Sequence, residues 1–325
     1  MDDKHFLSVI VPLYNSESWV EDCIESIAKL TPRKEIIVVD DGSTDHSAER
    51  IEKFANDGTI RLIRQQNKGV SEARNAALAA CRGDIVAFVD SDDLIVPDEF
   101  ERFYRHFTAS AADMAMGSVR IVFPDREDEM RCPTEHLRGH IIDGQHCFAE
   151  LMRSDTFTPL TVGYLFRKKW IDAHGMSFRH RMSEDDLWTS TAMCLAKRVL
   201  VDKGAPHYVY CKREGSITES NKSTRLRADS HMAVASDLYH FMRAQQLSEE
   251  AQTWMCCKIL YILSSSIVTY AAIGHYDFDI DTETIRDILN RIKQTAEPRP
   301  QKIAYIYTKR IADTLRKHFD KPIAD

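Results

Sequence analysis

The first 110 residues of the chain alternate short apolar runs with longer stretches in which apolar residues recur every three or four positions. The apolar runs resemble buried strands, and the stretches between them have the period of amphipathic helices. Strands are predicted at residues 7–12, 35–40, 60–64 and 84–90, and helices at 17–30, 47–56 and 70–81. Strands that are apolar on both faces and alternate with helices indicate an α/β fold, with a mainly parallel sheet covered on both sides.

From about residue 111 the spacing becomes less regular, as expected for a second half that mixes strand directions in the same sheet. Strands are predicted at residues 114–123, 162–166, 199–202 and 208–211, and helices at 145–153, 168–174 and 185–197. After about Thr224 the pattern is almost wholly helical. Pro298 and Pro300 are expected to interrupt it before a last helix at residues 303–318.

Composition narrows the class of protein. The chain has 325 residues, 43% of them hydrophobic, and a net charge of −7, so no overall positive field attracts it to nucleic acid. Its first residues do not match a secretion signal, and the longest apolar stretch, 259–273, is shorter than the roughly 20 residues that span a bilayer. Eight cysteines without C-x-x-C spacing argue against a zinc cluster and for a reducing compartment, so we expect a cytoplasmic protein.

Three acidic groups carry the candidate chemistry: Asp40-Asp41, Asp90-Ser91-Asp92-Asp93 and Glu184-Asp185-Asp186. The first two follow predicted strands, and ligands of open α/β sheets bind in the crevice at the carboxyl ends of the strands. Neighbouring carboxylates repel one another unless a cation or hydrogen-bond donors offset their charge. A hard divalent cation would do so and would also bind a diphosphate.

Each group also has a structural interpretation. Asp41-Gly42 is an ordinary turn signal, and an acidic run after a strand is often the solvated start of a helix. Residues 183–186 have the composition of a helix N-terminus, with a serine cap and acids in the first turn. Taken singly, none of the three groups therefore establishes a catalytic site.

Four segments in order make a specific pattern: residues 9–15 (VIVPLYN), 40–45 (DDGSTD), 67–75 (NKGVSEARN) and 90–93 (DSDD). Together they resemble the family-2 glycosyltransferases, which have the GT-A fold, in particular the inverting, bacterial polysaccharide type. The resemblance covers residues 6–110 well and 160–218 more loosely, through Glu184-Asp185 and residues 208–217 (YVYCKREGSI). The helical end beyond Thr224 carries no family motif that we recognise.

The resemblance implies roles for individual residues on the donor side. Pro12 and Tyr14 would line the base pocket, Asp41 would accept a hydrogen bond from the base, and Asp40 would support the turn. Arg74 would hold the nucleotide and orient the carboxylates.

The resemblance also implies the metal and catalytic residues. Asp92 would bind Mn²⁺ or Mg²⁺ directly, and Asp90 would contribute to the same metal site and lie near the ribose. Ser91 would be among the nucleotide-sugar contacts. The resemblance gives Asp93 no definite role. Asp185 would be the catalytic base, positioned by Glu184, and Arg213 and Ser216 would close over the diphosphate.

The expected enzyme moves a hexosyl or N-acetylhexosaminyl group from a nucleotide-sugar donor, a UDP-sugar by resemblance alone. One base and one metal, with no second carboxylate nucleophile, favour single displacement with inversion. Residues 1–110 would bind the nucleotide sugar, 111–223 the acceptor and base, and 224–325 would form a helical appendage. The acceptor would be a glycan or lipid-linked glycan of surface polysaccharide assembly.

Departures from the family pattern leave other features open. Leu30-Thr31 and Gly163-Tyr164 replace residues common in the family, and the second pair leaves the acceptor undefined. A sugar nucleotidyltransferase should have a glycine-rich loop after its first strand, but no glycine precedes Gly42. A catalytically inactive member of the fold would be expected to lose Asp92 or Asp185.

The last segment is basic, with nine lysines and arginines against four acids from Arg291 onward. An apolar stripe accompanies them: Ile303, Ile306, Tyr307, Ile311 and Leu315. Such a helix either lies on the inner face of the membrane as a peripheral contact or packs on the domain with a solvated basic face. His207, which precedes the last predicted strand, either completes a metal shell or is structural.

Overall fold

The computed structural model describes residues 5–213, 224–275 and 281–319, with side chains as far as residue 317. An eight-stranded sheet has the order β3-β2-β1-β4-β10-β6-β11-β9, and a four-stranded sheet has the order β5-β12-β7-β8. The strands of the first half are β1 Leu7–Leu13, β2 Lys34–Asp40, β3 Arg61–Arg64, β4 Ile85–Phe88 and β5 Leu94–Ile95. Those of the second half are β6 Met114–Met116, β7 Val119–Val122, β8 Glu129–Arg131, β9 Ile141–Ile142, β10 Tyr164–Arg167, β11 Val199–Val201 and β12 Tyr208–Cys211.

Eleven α-helices are found in the described ranges. The first seven are α1 Val20–Ala28, α2 Ser47–Asn56, α3 Val70–Ala80, α4 Pro97–Ala109, α5 Gly144–Arg153, α6 Lys168–Ala173 and α7 Glu184–Leu195. The last four follow β12 and are α8 Arg225–Ala244, α9 Glu249–Ala272, α10 Thr282–Gln294 and α11 Pro298–Phe319.

The parallel sheet of the first half is confirmed. β1 lies between β2 and β4 and pairs with both in parallel. Its side chains point alternately into two cores, Val9 with the helices of one face and Ile10 with those of the other. The period of two in a strand buried on both faces explains why β1 reads as a continuous apolar run.

The second half extends the same sheet with mixed strand directions, as expected. β10 is antiparallel to β4 and β6, whereas β11 is parallel to β6. The single strand predicted at 114–123 is wrong, because β6 belongs to the large sheet and β7 to the small one. The chain changes sheets at Gly117, where a Cβ would lie 2.4 Å from the His207 ring.

His207 is part of the core, not of a metal shell. Its side chain is 1% exposed, and its ring lies 4.4 Å from that of Phe103. Burial lowers the pKa of His207 to about 3, so the imidazole is neutral. The structural interpretation of this histidine is therefore the correct one.

The C-terminal helices pack on the first part of the chain through α9, which contacts α5, and α8, which contacts α7. Among the described residues only α9, 24 residues long, is long and apolar enough to cross a membrane, and 78% of its apolar window is buried inside the protein. The apolar stretch at 259–273 is thus part of a longer helix than expected, and it serves as a core helix. Trp254 of α9 shares a core cluster with Ile10 of β1.

The prolines near residue 300 begin the last helix and do not precede it. α11 starts at Pro298, where proline's fixed φ is compatible with a first helical turn. Ile311 is buried and Ile303 and Tyr307 are partly buried, whereas Ile306 is 49% exposed. Most of the predicted apolar stripe therefore packs on the domain, and one member does not.

Candidate active site

The loops after β1, β2 and β4 meet at the carboxyl end of the sheet. Pro12 is buried at the end of β1, and Tyr14 follows it with 39% of its surface exposed. The hydroxyls of Ser16 and Ser91 lie 2.9 Å apart and join the first loop to the third. The residues that the resemblance assigned to nucleotide binding are thus neighbours here.

Asp40 and Asp41 are held by the loops that they shape. Asp40 Oδ1 accepts from the Ser43 amide at 3.0 Å. Asp41, 3% exposed, accepts from the amides of Lys68 and Gly69 and from Gln65 Nε2, at 2.7–2.9 Å. Three donors therefore already surround the carboxylate that was predicted to bind the base.

Arg74 joins the second acidic group to the third. Its guanidinium, 2% exposed, donates from Nη2 to Asp90 Oδ1 at 2.8 Å. From Nη1 it donates to Glu184 Oε1 at 2.8 Å and to Asp185 Oδ1 at 3.0 Å. One buried cation thus connects three carboxylates that lie 16, 110 and 111 positions away in the chain.

The rest of α3 fixes the segment that carries the third group. Asn75 exchanges two hydrogen bonds with the backbone of Phe178, at 2.8 and 2.9 Å. Ser71 donates to the carbonyl of His180 at 2.5 Å. The motif at 67–75 therefore positions residues 178–185 as well as the nucleotide loops.

Asp185 has one oxygen engaged and one without a partner. Oδ1 accepts from Arg74 and, at 2.6 Å, from the hydroxyl of Thr161, which is fully buried. Within the described ranges no donor contacts Oδ2. Ser183 lies before α7 with a φ of +58° and makes no side-chain cap bond, so the predicted serine cap is wrong, whereas the predicted helix start with three acids in its first turn is confirmed.

Glu184 and Asp185 are largely buried, with too little positive charge nearby to offset their own negative charge. Burial and the charge of Asp185 raise the pKa of Glu184 to about 7. Burial also raises the pKa of Asp185, although the Arg74 guanidinium opposes this. A carboxylate whose ionised form is costly is a better proton acceptor than an ordinary one.

Asp92 faces a second arginine. Arg213 Nη1 lies 2.9 Å from Asp92 Oδ2, and its guanidinium stacks 3.9 Å from the Trp19 ring. Burial and the nearby Asp90 raise the pKa of Asp92, and Arg213 opposes the shift. Ser216, assigned with Arg213, lies outside the described residues.

A divalent cation fits Asp90 and Asp92 but not Asp93. Both oxygens of Asp93 are engaged, by the Tyr208 hydroxyl at 2.7 Å and the Cys211 amide at 2.8 Å. Asp90 and Asp92 present carboxylate oxygens, which suit Mg²⁺ or Mn²⁺, and their mutual repulsion would be relieved by a cation. Asp93 instead ties this loop to β12, the strand that leads to Arg213.

Three contacts were missed by sequence reasoning: those of Thr161, Trp19 and Lys258. Lys258 of α9 is 5% exposed and pairs with Asp186, next to Asp185. Its ammonium lies 5.2 Å from the centre of the Phe157 ring. No local motif marks any of these residues, because their roles arise from contacts between distant segments.

Comparison with known proteins agrees with this geometry. The model of glycosyl transferase family 2 matches residues 8–188. The chain therefore belongs to glycosyl transferase family 2, and it is a transferase with the GT-A fold.

Two relatives illustrate the range of the family. Glycosyltransferase GlyG of Streptococcus pneumoniae is 37% identical over 308 residues, covering 89% of this chain and 96% of GlyG. Staphylococcus aureus TarS, a poly(ribitol-phosphate) beta-N-acetylglucosaminyltransferase, is 28% identical over 226 residues, 66% of this chain and 37% of TarS.

Solved structures share the fold. TarS residues 1–349 in complex with UDP-GlcNAc align with a TM-score of 0.63 at 19% identity, over 97% of this chain and 90% of that one. The mannosyltransferase PcManGT from Pyrobaculum calidifontis, in complex with GDP-Man and Mn²⁺, aligns at 0.54 and 18%, over 99% and 90%.

Proposed function

We propose that this glycosyltransferase moves a hexosyl or N-acetylhexosaminyl group from UDP to an acceptor hydroxyl, with a divalent cation and with inversion. The observation that carries the proposal is the set of ion pairs that Arg74 makes with Asp90, Glu184 and Asp185, which we call the Arg74 hub. Through it, one guanidinium contacts both the acid after β4 and the acids that begin α7. Donor and base chemistry thereby share one crevice.

The donor side supports binding of a nucleoside diphosphate. Arg213 Nη2 is buried and has no partner among the described residues, so it can donate to a phosphate oxygen. Asp90 and Asp92 would hold the cation, which when bound supplies positive charge to the departing β-phosphate. UDP-GlcNAc in TarS and GDP-Man with Mn²⁺ in PcManGT are consistent with such a donor.

The base side supports single displacement. The acceptor oxygen bonds to the anomeric carbon while the bond from that carbon to the diphosphate oxygen breaks, and Asp185 Oδ2 takes the acceptor proton. Arg74 and Thr161 hold the other oxygen of Asp185, so the base is oriented. Glu184 and Asp90 bond to Arg74, and we assign neither as a nucleophile; the anomeric centre would therefore invert.

The acceptor would be a glycan or a lipid-linked glycan, assembled at the cytoplasmic side of the cell membrane. TarS, which acts on poly(ribitol-phosphate) by its name, is consistent with an acceptor that belongs to a surface polymer. Glycan assembly is consistent with both the proposed base and the proposed donor site.

A thermal-shift screen of UDP- and GDP-sugars, with and without Mn²⁺, tests the donor assignment. A ligand that binds only the native state raises the apparent stability, by about 2.7 kcal/mol at one hundred times its Kd. We expect UDP-sugars to stabilise the chain in Mn²⁺ or Mg²⁺ and not in EDTA. Asp92→Ala is the matched variant and should lose the part of the stabilisation that requires the metal. No stabilisation by any nucleotide sugar in either metal would contradict the proposal.

A further inference from the structure

One side of α11 is exposed, basic and partly apolar. We call it the α11 outer face and define it by six residues that lie within about 140° of one another at 100° per residue: Lys302, Tyr305, Ile306, Lys309, Arg310 and Lys317. Asp313 is the only acidic residue exposed between them. The opposite side of α11 is the one that packs on the domain, through Ala304 and Ile311.

The cations of this face have no internal partner. None of its four basic side chains forms an ion pair or a hydrogen bond within the described part of the chain, and nearby arginines behave differently. Arg153 contacts three glutamates, and Arg291 pairs with Asp287 at 2.9 Å. The chain as a whole is negative, at −7, so this positive surface stands apart from it.

Two large apolar side chains lie among these cations. Tyr305 is 66% exposed and Ile306 is 49% exposed. The helix is already docked through its other side, so these residues do not contribute to the core. Aromatic and aliphatic side chains beside lysines and arginines are typical of helices that lie in the headgroup region of a bilayer.

The helix that carries the α11 outer face is connected to the base side of the active site. Lys258 of α9 pairs with Asp186, the neighbour of Asp185. Tyr261 lies on the same side of α9 one turn later and is 45% exposed. Its ring is 5.6 Å from that of Tyr307 in α11. Side-chain contacts therefore link α11, through α9, to the neighbour of the proposed base.

We propose that the α11 outer face docks on an anionic lipid bilayer, with α11 parallel to the surface. Unpaired cations supply attraction to acidic headgroups, and Tyr305 and Ile306 supply the apolar contact that a purely solvated face does not need. A polyanion without an apolar phase, such as nucleic acid, would leave those two side chains unused. Docking requires no transfer activity, and only the delivery of a lipid-linked acceptor rests on the proposed function.

Vesicle co-sedimentation of the full chain tests the inference. Vesicles of phosphatidylcholine alone are compared with vesicles in which roughly a third of the lipid is phosphatidylglycerol, because each basic residue near an anionic surface adds about fivefold in affinity. We expect binding to the anionic vesicles only, weakened at high salt. The triple variant Lys302→Glu/Lys309→Glu/Arg310→Glu should lose more than about a hundredfold.

Two further variants separate the contributions. Tyr305→Ser/Ile306→Ser should weaken binding about tenfold or more and leave its salt dependence unchanged. Lys197→Glu/Arg198→Glu/Lys203→Glu is the matched control, with the same charge change in exposed turns that flank β11. It should bind nearly as the unmodified chain does.

Equal binding to neutral and anionic vesicles, no binding to either, or full binding by the triple variant would overturn the inference. Thermal unfolding checks that each variant is folded. Stabilisation by nucleotide sugars is measured on the same samples. If stabilisation persists while vesicle binding is absent, only the docking inference fails; the reverse result removes the proposed donor and leaves docking in place.

Discussion

Two sets of carboxylates lie at the candidate active site, and their surroundings differ. Asp41 and Asp93 are almost fully buried, and both of their oxygens accept hydrogen bonds from nearby donors. Asp92 and Asp185 keep more contact with the crevice, and each depends on a single arginine for positive charge. Identical side chains in similar sequence contexts thus have different electrostatic surroundings.

This difference separates carboxylates that hold loops from carboxylates that are available for chemistry. A saturated carboxylate stabilises the native fold and has little capacity left for a ligand. A buried carboxylate with too little positive charge is costly to the native state, and burial raises the pKa of Asp92 and Asp185 for this reason. Burial raises the pKa of Asp93 too, so the unused hydrogen-bonding capacity of Asp92 and Asp185, and not the raised pKa, distinguishes the two sets. Such costs are common where function requires them. The comparison predicts opposite consequences for neutralising the two sets.

Asp185→Asn should cause the largest change in activity. Loss of a general base typically costs about 10²–10⁴-fold in rate, and we expect kcat for transfer to fall in this range. Binding of UDP in Mn²⁺ should be nearly unchanged, because Asp185 does not contact the donor side except through Arg74. Transfer is measured as acceptor-dependent release of nucleoside diphosphate, and binding by calorimetry.

The stability of the same variant sharpens the comparison. Removing a charge whose ionised form is destabilised in the native state should leave the free energy of unfolding unchanged or raise it. Wild-type turnover by Asp185→Asn would reject its role as base, and a large loss of stability would place it in the saturated set.

Arg74→Met should have the second-largest effect, on stability. Breaking a buried ion pair by removing one partner costs about 3–5 kcal/mol, because the remaining charges are left uncompensated. Here three carboxylates lose their shared cation. The free energy of unfolding is measured by urea denaturation above pH 8, because the pKa of Glu184, about 7 with Arg74 present, would allow protonation to relieve part of the penalty at neutral pH.

The matched control is Arg102→Met, which breaks a pair with the buried Asp202 outside the crevice, formed at 2.7 Å. We expect a loss of stability there with kcat retained, whereas Arg74→Met should lose both. A change of less than about 1 kcal/mol at Arg74 would contradict the hub.

Asp41→Asn should destabilise the fold where Asp185→Asn does not. The amide cannot accept from all three donors that surround Asp41, and a buried donor without a partner costs about 1–3 kcal/mol. We expect a lower midpoint of thermal unfolding and a kcat close to that of the unmodified chain once the UDP-sugar donor is saturating. An unchanged midpoint would remove the distinction between the two sets of carboxylates.

Much of the donor half could be predicted from the sequence because its determinants are local. Strand β2 ends at Asp40 as the apolar run does, and residues 7–13 form a strand buried on both faces. The prediction of one strand at 114–123 is wrong because tertiary packing, and not the local pattern, decides where the chain leaves the first sheet. The apolar residues on either side of Gly117 suit both sheets, and only packing against His207 shows where the chain leaves the first sheet.

The base side depends on contacts that no local pattern contains. Thr161 reaches Asp185 across 24 positions, and Lys258 belongs to a helix without a recognised motif. The serine before Glu184 suggested a helix cap, but its backbone conformation and missing cap bond contradict it. Family resemblance suggested Asp185 as the base and Arg74 as the residue that orients the carboxylates, but it gave no indication of Thr161.

Thr161→Val should give the smallest change and the most specific one. The hydroxyl donates to Asp185 Oδ1 at 2.6 Å, and this bond lowers the pKa of Asp185 against the effect of burial. Its loss should raise that pKa. Because the base acts when deprotonated, the low-pH limb of kcat should move to higher pH. Asp185 also loses one of the two groups that orient it, so kcat at the plateau should fall about fivefold, as for one lost hydrogen bond.

Thr161→Ser keeps the hydroxyl and serves as the control, so its pH profile should match that of the unmodified chain. A merely structural role for the buried threonine would lower stability in the valine variant without moving the profile. If the low-pH limb of kcat does not move in Thr161→Val, and the serine variant is also unchanged, Arg74 alone orients the base. Asp185 would then differ less from the saturated carboxylates than its surroundings indicate.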